Sequence, residues 1–341
     1  MFSIPPLEDW GPVHFTMAAY VIQGIVITLL NVPLIIMLLF KKKNRDRKEF
    51  VLIACVSLID IFYVIVNAWN SFIRLMTISE SITRAACNTH PMYFISLVVS
   101  QLVANMPLMV ALDRLIATLY GVWYYKQRHF YSLMLCAIPI AFSFLITLIN
   151  LIIILTTSAG EDKVINFCFS SSLPAPVYKF VYHGLKWFCI FLAAAIYCLV
   201  AYKLKTKTTN VSTIQAKRVA TANLVMGLST INSIIFHLIP DFLLVVPLPF
   251  LTVTVFVQCI LFSLILEKIM FNFVLFLVFH NELRSLYCGI FFRSNKKEQH
   301  RRGTSSSGNV PTTGTSRMFA SQANSCLLTK IALRIRSRFS Q

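Results

Sequence analysis

What most constrains this chain is where its charge is missing. Residues 10–40, 85–112, 130–160, 187–202, 219–240 and 242–266 contain no Asp, Glu, Lys or Arg, and 50–73 is broken only by Asp60. An α-helix needs about 20 apolar residues to cross the hydrocarbon of a bilayer, and lipid leaves a backbone no water to bond. Seven helices therefore follow, near 16–40, 50–70, 92–120, 132–157, 177–204, 219–240 and 253–279. Composition agrees: 57% of the residues are hydrophobic and 13% charged, roughly half the charged share of a soluble domain. The first stretch follows Glu8 and Asp9, lacks a basic leader and is longer than a signal-peptide core, so it reads as a retained span.

Lys and Arg orient those spans. Of the 31, 25 fall in residues 41–48, 114–128, 203–218 and 284–338, all on one side of the predicted membrane. Basic loops stay cytoplasmic, which puts the N-terminus outside and the tail inside. The net charge of +18 then reflects topology and attraction to anionic lipid, and nucleic-acid binding is not expected. The expected architecture is an all-α membrane protein: an extracellular N-terminus at 1–15, a seven-transmembrane helix bundle at 16–279, a short amphipathic eighth helix at 280–292 and a disordered cytoplasmic tail at 293–341.

Cys55, Cys136, Cys189, Cys198 and Cys259 lie within spans, where a small apolar side chain is ordinary. Cys87 and Cys168 fall on the outer side, where they can pair into a disulfide over the helix mouth or remain two thiols. No CxxC-type metal spacing is present, and neither metal nor cofactor is expected. The sequon Asn210-Val211-Ser212 falls in an inner loop and so should carry no glycan.

Several motifs occur in order along the spans. "GIVITLLNVPL" holds Asn31, "LIACVSLID" ends at Asp60, "DRLIATLYGVWY" begins at Asp113-Arg114, and "NFVLFLVFHNELR" begins at Asn272. With seven spans and an outside N-terminus, this set resembles the rhodopsin-like G-protein-coupled receptors over about residues 16–290. The third-span segment resembles the family pattern D-R-Y-x-A-x-x-x-P-x-x-Y, with Leu115 and Gly121 as departures. The seventh resembles N-P-x-x-Y, with Phe273 and Phe276 replacing Pro and Tyr. A fourth span without Trp, Leu238 where the family has its toggle Trp, and a short N-terminus are most similar to the divergent nematode serpentine chemoreceptors.

The resemblance implies roles. Asp113, Arg114, Tyr124, Tyr197, Asn272 and Phe276 become the activation switch, in which Arg114 is held by Asp113 at rest and released to a heterotrimeric G protein. No acid stands near Ala220, so that lock has no sixth-span partner. Asn31 and Asp60 belong to the polar core, and Lys268, one turn before Asn272, either replaces the family's sodium ion beside Asp60 or snorkels to the cytoplasm. Ser96, 18 residues before Arg114, stands where amine receptors carry an Asp, so an amine counter-ion is missing.

Lys186 is an intramembrane cation near Tyr182 and His183, and either faces an acidic or carbonyl-bearing ligand or reaches back to the surface. Tyr93, Ser96 and Phe236 complete the candidate pocket. The expected ligand is a small odorant- or pheromone-like molecule or a peptide. Cys288 is a juxtamembrane acceptor for palmitate, and the hydroxyls of "GTSSSGNVPTTGTSRM" would take kinase phosphates and then an arrestin. The plasma membrane, in a sensory cilium for a chemoreceptor, is the expected location. A transporter or channel subunit is the alternative, although no repeat relates the two halves. Enzymatic activity is not expected, because Asp60, Lys186, Glu267 and Lys268 form no spaced catalytic set.

Overall fold

The computed structural model describes residues 11–40, 48–76, 82–127, 129–164, 168, 173–207, 213–246 and 254–279, with Arg284 and Tyr287. Nearly all of this is helical, and seven of the described helices are long and apolar enough to cross a membrane. The spans lie in the helices Pro12–Phe40, Lys48–Met76, Pro91–Leu119, His129–Thr156, Pro176–Lys207, Thr213–Ser233 continued through Ile239–Val245, and Val255–Phe279. They suggest a multi-pass membrane protein.

By contact the chain divides into two units, Met1–Phe271 and Asn272–Gln341. In the first, the third span is the most buried and packs against the second, fourth, fifth and sixth. The first and second spans form the most extensive pairing, and Gly24 explains how: a Cβ placed there would stand 2.7 Å from the Cβ of Ala68. Two helices can approach this closely only where one side chain is absent. In the second unit Phe273 meets the Tyr287 ring at 5.5 Å, and Arg284 donates to the Val278 carbonyl at 3.3 Å.

The second and sixth spans run well past the ends that sequence indicates. The second runs through Arg74 to Met76, so Arg74, which lies beyond the expected end of that span near residue 70, is buried with 7% exposed. The sixth does not stop at Pro240. It continues to Val245 after a π-helical turn at Ile234–Leu238. Proline lacks an N–H and excludes the carbonyl four residues back, and the wider turn just before Pro240 accommodates that loss.

At one end of the first unit the connections are knitted together. Thr83 caps the short helix Arg84–Thr89 by accepting from the Ala86 N–H. The strand Ile82–Thr83 pairs antiparallel with Lys163–Val164, and Arg84 meets Asp162 at 2.5 Å. A disulfide joins Cys87 to Cys168, with Cα atoms 6.0 Å apart. Cys168 has φ of 40°, the left-handed region that a side chain rarely occupies. Its carbonyl accepts from Arg74 Nη2 at 2.9 Å, so the bridge and a buried cation together fix that backbone.

Beneath the bridge, Asn88 donates to the carbonyls of Arg84 and Leu173 and accepts from Asn150. Asn150 in turn accepts from the Ala175 N–H just before the fifth span. Paired amides satisfy buried polar atoms at a loop that would otherwise expose them to an apolar interior.

Candidate functional site

The third span carries its charged pair at the end opposite the disulfide. Asp113 and Arg114 are buried, at 2% and 4% exposure, and Arg114 Nη2 meets Asp113 Oδ2 at 2.7 Å. The span ends at Leu119, and Gly121–Lys126 forms a short helix that turns Tyr124 back, so that its hydroxyl reaches the same Oδ2 at 3.3 Å. Lys48, opening the second span, donates to the Tyr124 carbonyl and lies 4.6 Å above its ring. The Tyr131 ring stands edge-on to Tyr124 at 5.9 Å. Consecutive residues on a helix normally diverge by about 100°, so a contact between neighbours needs long side chains turned toward a common point. Here the short helix and Lys48 hold that point in place.

The Tyr197 hydroxyl is buried with no hydrogen-bond partner among the described residues. Asn272 and Phe276 are buried in the second unit. Cys288, most of the proposed eighth helix and the tail lie outside the described residues.

A second polar centre sits between the fifth and sixth spans, and one of its members was not anticipated. Asp241, just past Pro240, is 4% exposed and accepts three contacts: Lys186 Nζ on Oδ1 at 2.8 Å, Trp187 Nε1 on Oδ2 at 2.8 Å, and His183 Nδ1 at 2.9 Å from Oδ2. A carboxylate can only accept, so with Asp241 ionised His183 carries its proton on Nδ1. Lys186 is wholly buried and lies 5.3 Å above the Tyr182 ring, whose hydroxyl donates to the Leu97 carbonyl at 2.7 Å.

The fifth span presents His183, Lys186 and Trp187 on one face by i, i+3, i+4 spacing. The π-helical turn sets the phase of Asp241. In an uninterrupted α-helix residue 241 would lie about 100° further round. In the sequence Asp241 stands as a break between the two apolar runs 219–240 and 242–266. The available signal was that helix-competent residues resume beyond it, with Pro240 at the start of a new turn. The Lys186 charge is thus met within the protein by Asp241, which neither sequence alternative for Lys186 included.

The third centre involves Asp60. Lys268 Nζ lies 3.9 Å from its Oδ1 and 3.5 Å from the Val103 carbonyl, the position eleven residues before Arg114. Adjacent Glu267 points instead to the first span, accepting from Gln23 Nε2 at 2.8 Å. Asn31 donates to its own helix at the Ile27 carbonyl, and Asn232 donates to the Lys268 carbonyl. His237, between this centre and Asp241 in the sixth span, is buried with neither ring nitrogen bonded among the described residues.

The ligand candidates divide. Tyr182, His183 and Lys186 gather around Asp241, Tyr93 faces the Arg74 guanidinium at 5.7 Å with Ser96 buried one turn on, and Phe236 stacks on Phe271 at 4.8 Å. What this arrangement can do is mechanical. The Lys186–Asp241 and Lys268–Asp60 pairs each tie two spans, and separating either would strand a charge at membrane depth, an expense that favours two discrete packings over a continuum. No protein-family model and no curated protein matches the chain.

Proposed function

We propose that the chain is a G-protein-coupled chemosensory receptor of the rhodopsin-like kind, most like the nematode serpentine chemoreceptors, lying in the plasma membrane with its tail in the cytoplasm. The observation that carries this reading is the buried Asp113–Arg114 pair at the end of the third span, with the Tyr124 hydroxyl on the same carboxylate oxygen. A ligand that favours one packing of the helices shifts the population toward it, and the pair then opens to a heterotrimeric G protein. Arg114, once released, supplies a planar cation to the partner, and Tyr197 supplies a buried hydroxyl to hold it there.

The basic segments at 203–218 and 284–302 suit a G-protein surface and anionic inner-leaflet lipid alike. The tail hydroxyls take kinase phosphates and an arrestin, and Cys288 takes a palmitoyl chain.

The test is expression of the chain with a panel of G proteins, challenged with small odorant-like molecules and peptides. Arg114→Ala should abolish most ligand-stimulated nucleotide exchange while surface expression persists, and Asp113→Asn should raise exchange without ligand. An undiminished response in Arg114→Ala would sink the coupling role.

A further inference from the structure

The centre around Asp241 holds three nitrogens without a hydrogen-bond partner among the described residues: His183 Nε2 and both ring nitrogens of His237. Both rings are buried, at 0% and 2% exposure. His183 bonds Asp241 through Nδ1, and His237 lies one helical turn before Asp241, in the π-helical turn Ile234–Leu238. Lys268, Lys186, Asp241 and His183 all stand near enough to act electrostatically on the His237 ring. A buried polar atom is normally paired, because leaving it so costs about as much as a lost hydrogen bond. Three such atoms in one cluster are three hydrogen bonds open to a group from outside the chain.

Charge is not what this cluster offers. Lys186 is matched by Asp241 at 2.8 Å, so an acidic ligand would have to displace a buried carboxylate and an amine a buried ammonium. Either displacement strands an ion in the bundle. What is left is neutral valence. Asp241 accepts from His183 Nδ1, so a neutral His183 presents Nε2 as an acceptor, and a neutral His237 presents one donor and one acceptor. A hydroxyl can donate to one ring and accept from the other. A ketone, ester or carboxylate can only accept, and an ammonium can only donate.

We propose that this cluster recognises the hydroxyl of a small neutral alcohol, held between His183 Nε2 and His237. The seam between the fifth and sixth spans also receives the hydrocarbon. Trp187 and Ile234 pack on the buried Ile190 and Leu238, and the Trp187 ring meets Phe242 at 5.2 Å. The fifth span packs along Thr213–Ser233 and Ile234–Leu238; past the π-helical turn it is joined to Ile239–Val245 through Asp241 with its donors and through the Trp187–Phe242 rings. Trp187 is half-buried and Phe242 is 40% exposed, so this seam reaches the apolar surface of the helices. An alcohol that enters there keeps its chain in apolar surroundings and delivers one hydroxyl to the two imidazoles. This deepens the receptor reading, on which it rests for what binding does, while binding itself is measured without a G protein.

The experiment uses the full chain, purified in nanodiscs of neutral lipid, and follows thermal unfolding during titration with hexanol, hexanone, hexanoate and hexylamine. The chain length is shared and the head group alone differs. Ligand binding to the folded state raises its stability in a saturable way. Hexanol should stabilise the native chain saturably, and at lower concentration than the other three. His237→Phe removes both nitrogens, keeps a ring of similar shape and should fold, because an apolar group in place of an unpartnered polar one strands nothing. In that chain the apparent affinity for hexanol should fall about tenfold or more, the loss expected for two neutral hydrogen bonds. His237→Gln keeps a donor and an acceptor and should retain most of the affinity.

Tightest binding by hexanoate would make Lys186 the recognising cation, and tightest binding by hexylamine would make Asp241 the recognising anion. A hexanone effect equal to that of hexanol would show that no hydroxyl proton is donated. Each of these overturns the proposal, as does a hexanol effect that is absent, unsaturable or undiminished in His237→Phe. The head-group ranking in the native chain carries the test if His237→Phe does not fold. Hexanol binding in a chain that activates no G protein would leave the site standing and remove the receptor reading.

Discussion

At the scale of single residues, Asp241 shows why a buried charge is best understood through its partners. Three donors share its carboxylate, so removing one partner leaves the rest strained and an ion uncompensated. Lys186→Met and Asp241→Leu should each destabilise the purified chain by about 3–5 kcal/mol, because each strands the opposite charge. The double variant should recover most of that loss, since replacing both ions by apolar groups of similar size is often neutral. Thermal unfolding of the four chains forms a double-mutant cycle, and additive losses would show that the pair carries no coupling. The cycle also separates this lock from Arg114, whose replacement should change signalling and leave the Lys186–Asp241 coupling as it was.

Elements decide how those residues meet. The first and second spans approach because Gly24 has no side chain where Ala68 has one. Gly24→Ala should therefore cost about 1–3 kcal/mol by forcing the two helices apart, and Ala68→Gly in the same chain should relieve most of it. Thermal unfolding of the single and double variants measures both, and a Gly24→Ala chain as stable as the parent would mean that the helices are not in contact there. The sixth span makes a related point through phase instead of distance. Hydropathy marks residues 219–240 and 242–266 as two apolar runs with Asp241 between them, while the chain continues its helix through Asp241 to Val245. A π-helical turn before Pro240 then directs the carboxylate to Lys186.

For the whole molecule, the distribution of charge sets which way the helices face. By their order along the sequence, 25 of the 31 Lys and Arg fall on the same side of the expected spans as Arg114, and Cys87 and Cys168 fall on the other. If the basic end is cytoplasmic, the sequon at Asn210 never meets the glycosylation machinery. Treatment with a glycosidase should then leave the mobility of the native chain unchanged, and a sequon introduced beside Asp162 should yield a shift. A glycan on Asn210 would invert the topology and with it the assignment of the Arg114 end to a cytoplasmic partner.

Sequence by itself determined that there are seven long apolar helices, that Cys87 and Cys168 are the two cysteines on the side of the spans away from most Lys and Arg, and that Asp113-Arg114 closes the third. Those are local properties: a run of apolar side chains is legible without knowing its neighbours, because the bilayer imposes length and forbids unpaired backbone whatever the rest of the chain does. Tertiary structure decided who pairs with whom. Lys186 has Asp241 as its counter-ion, Lys268 stands beside Asp60, Glu267 turns to Gln23, and Arg74 meets the Cys168 carbonyl because the second span runs on past Asn70. Such pairings depend on the rotation of each helix about its axis and on where a helix ends. A single extra residue in one turn rotates everything beyond it by about 100°, and no count of apolar residues records that rotation.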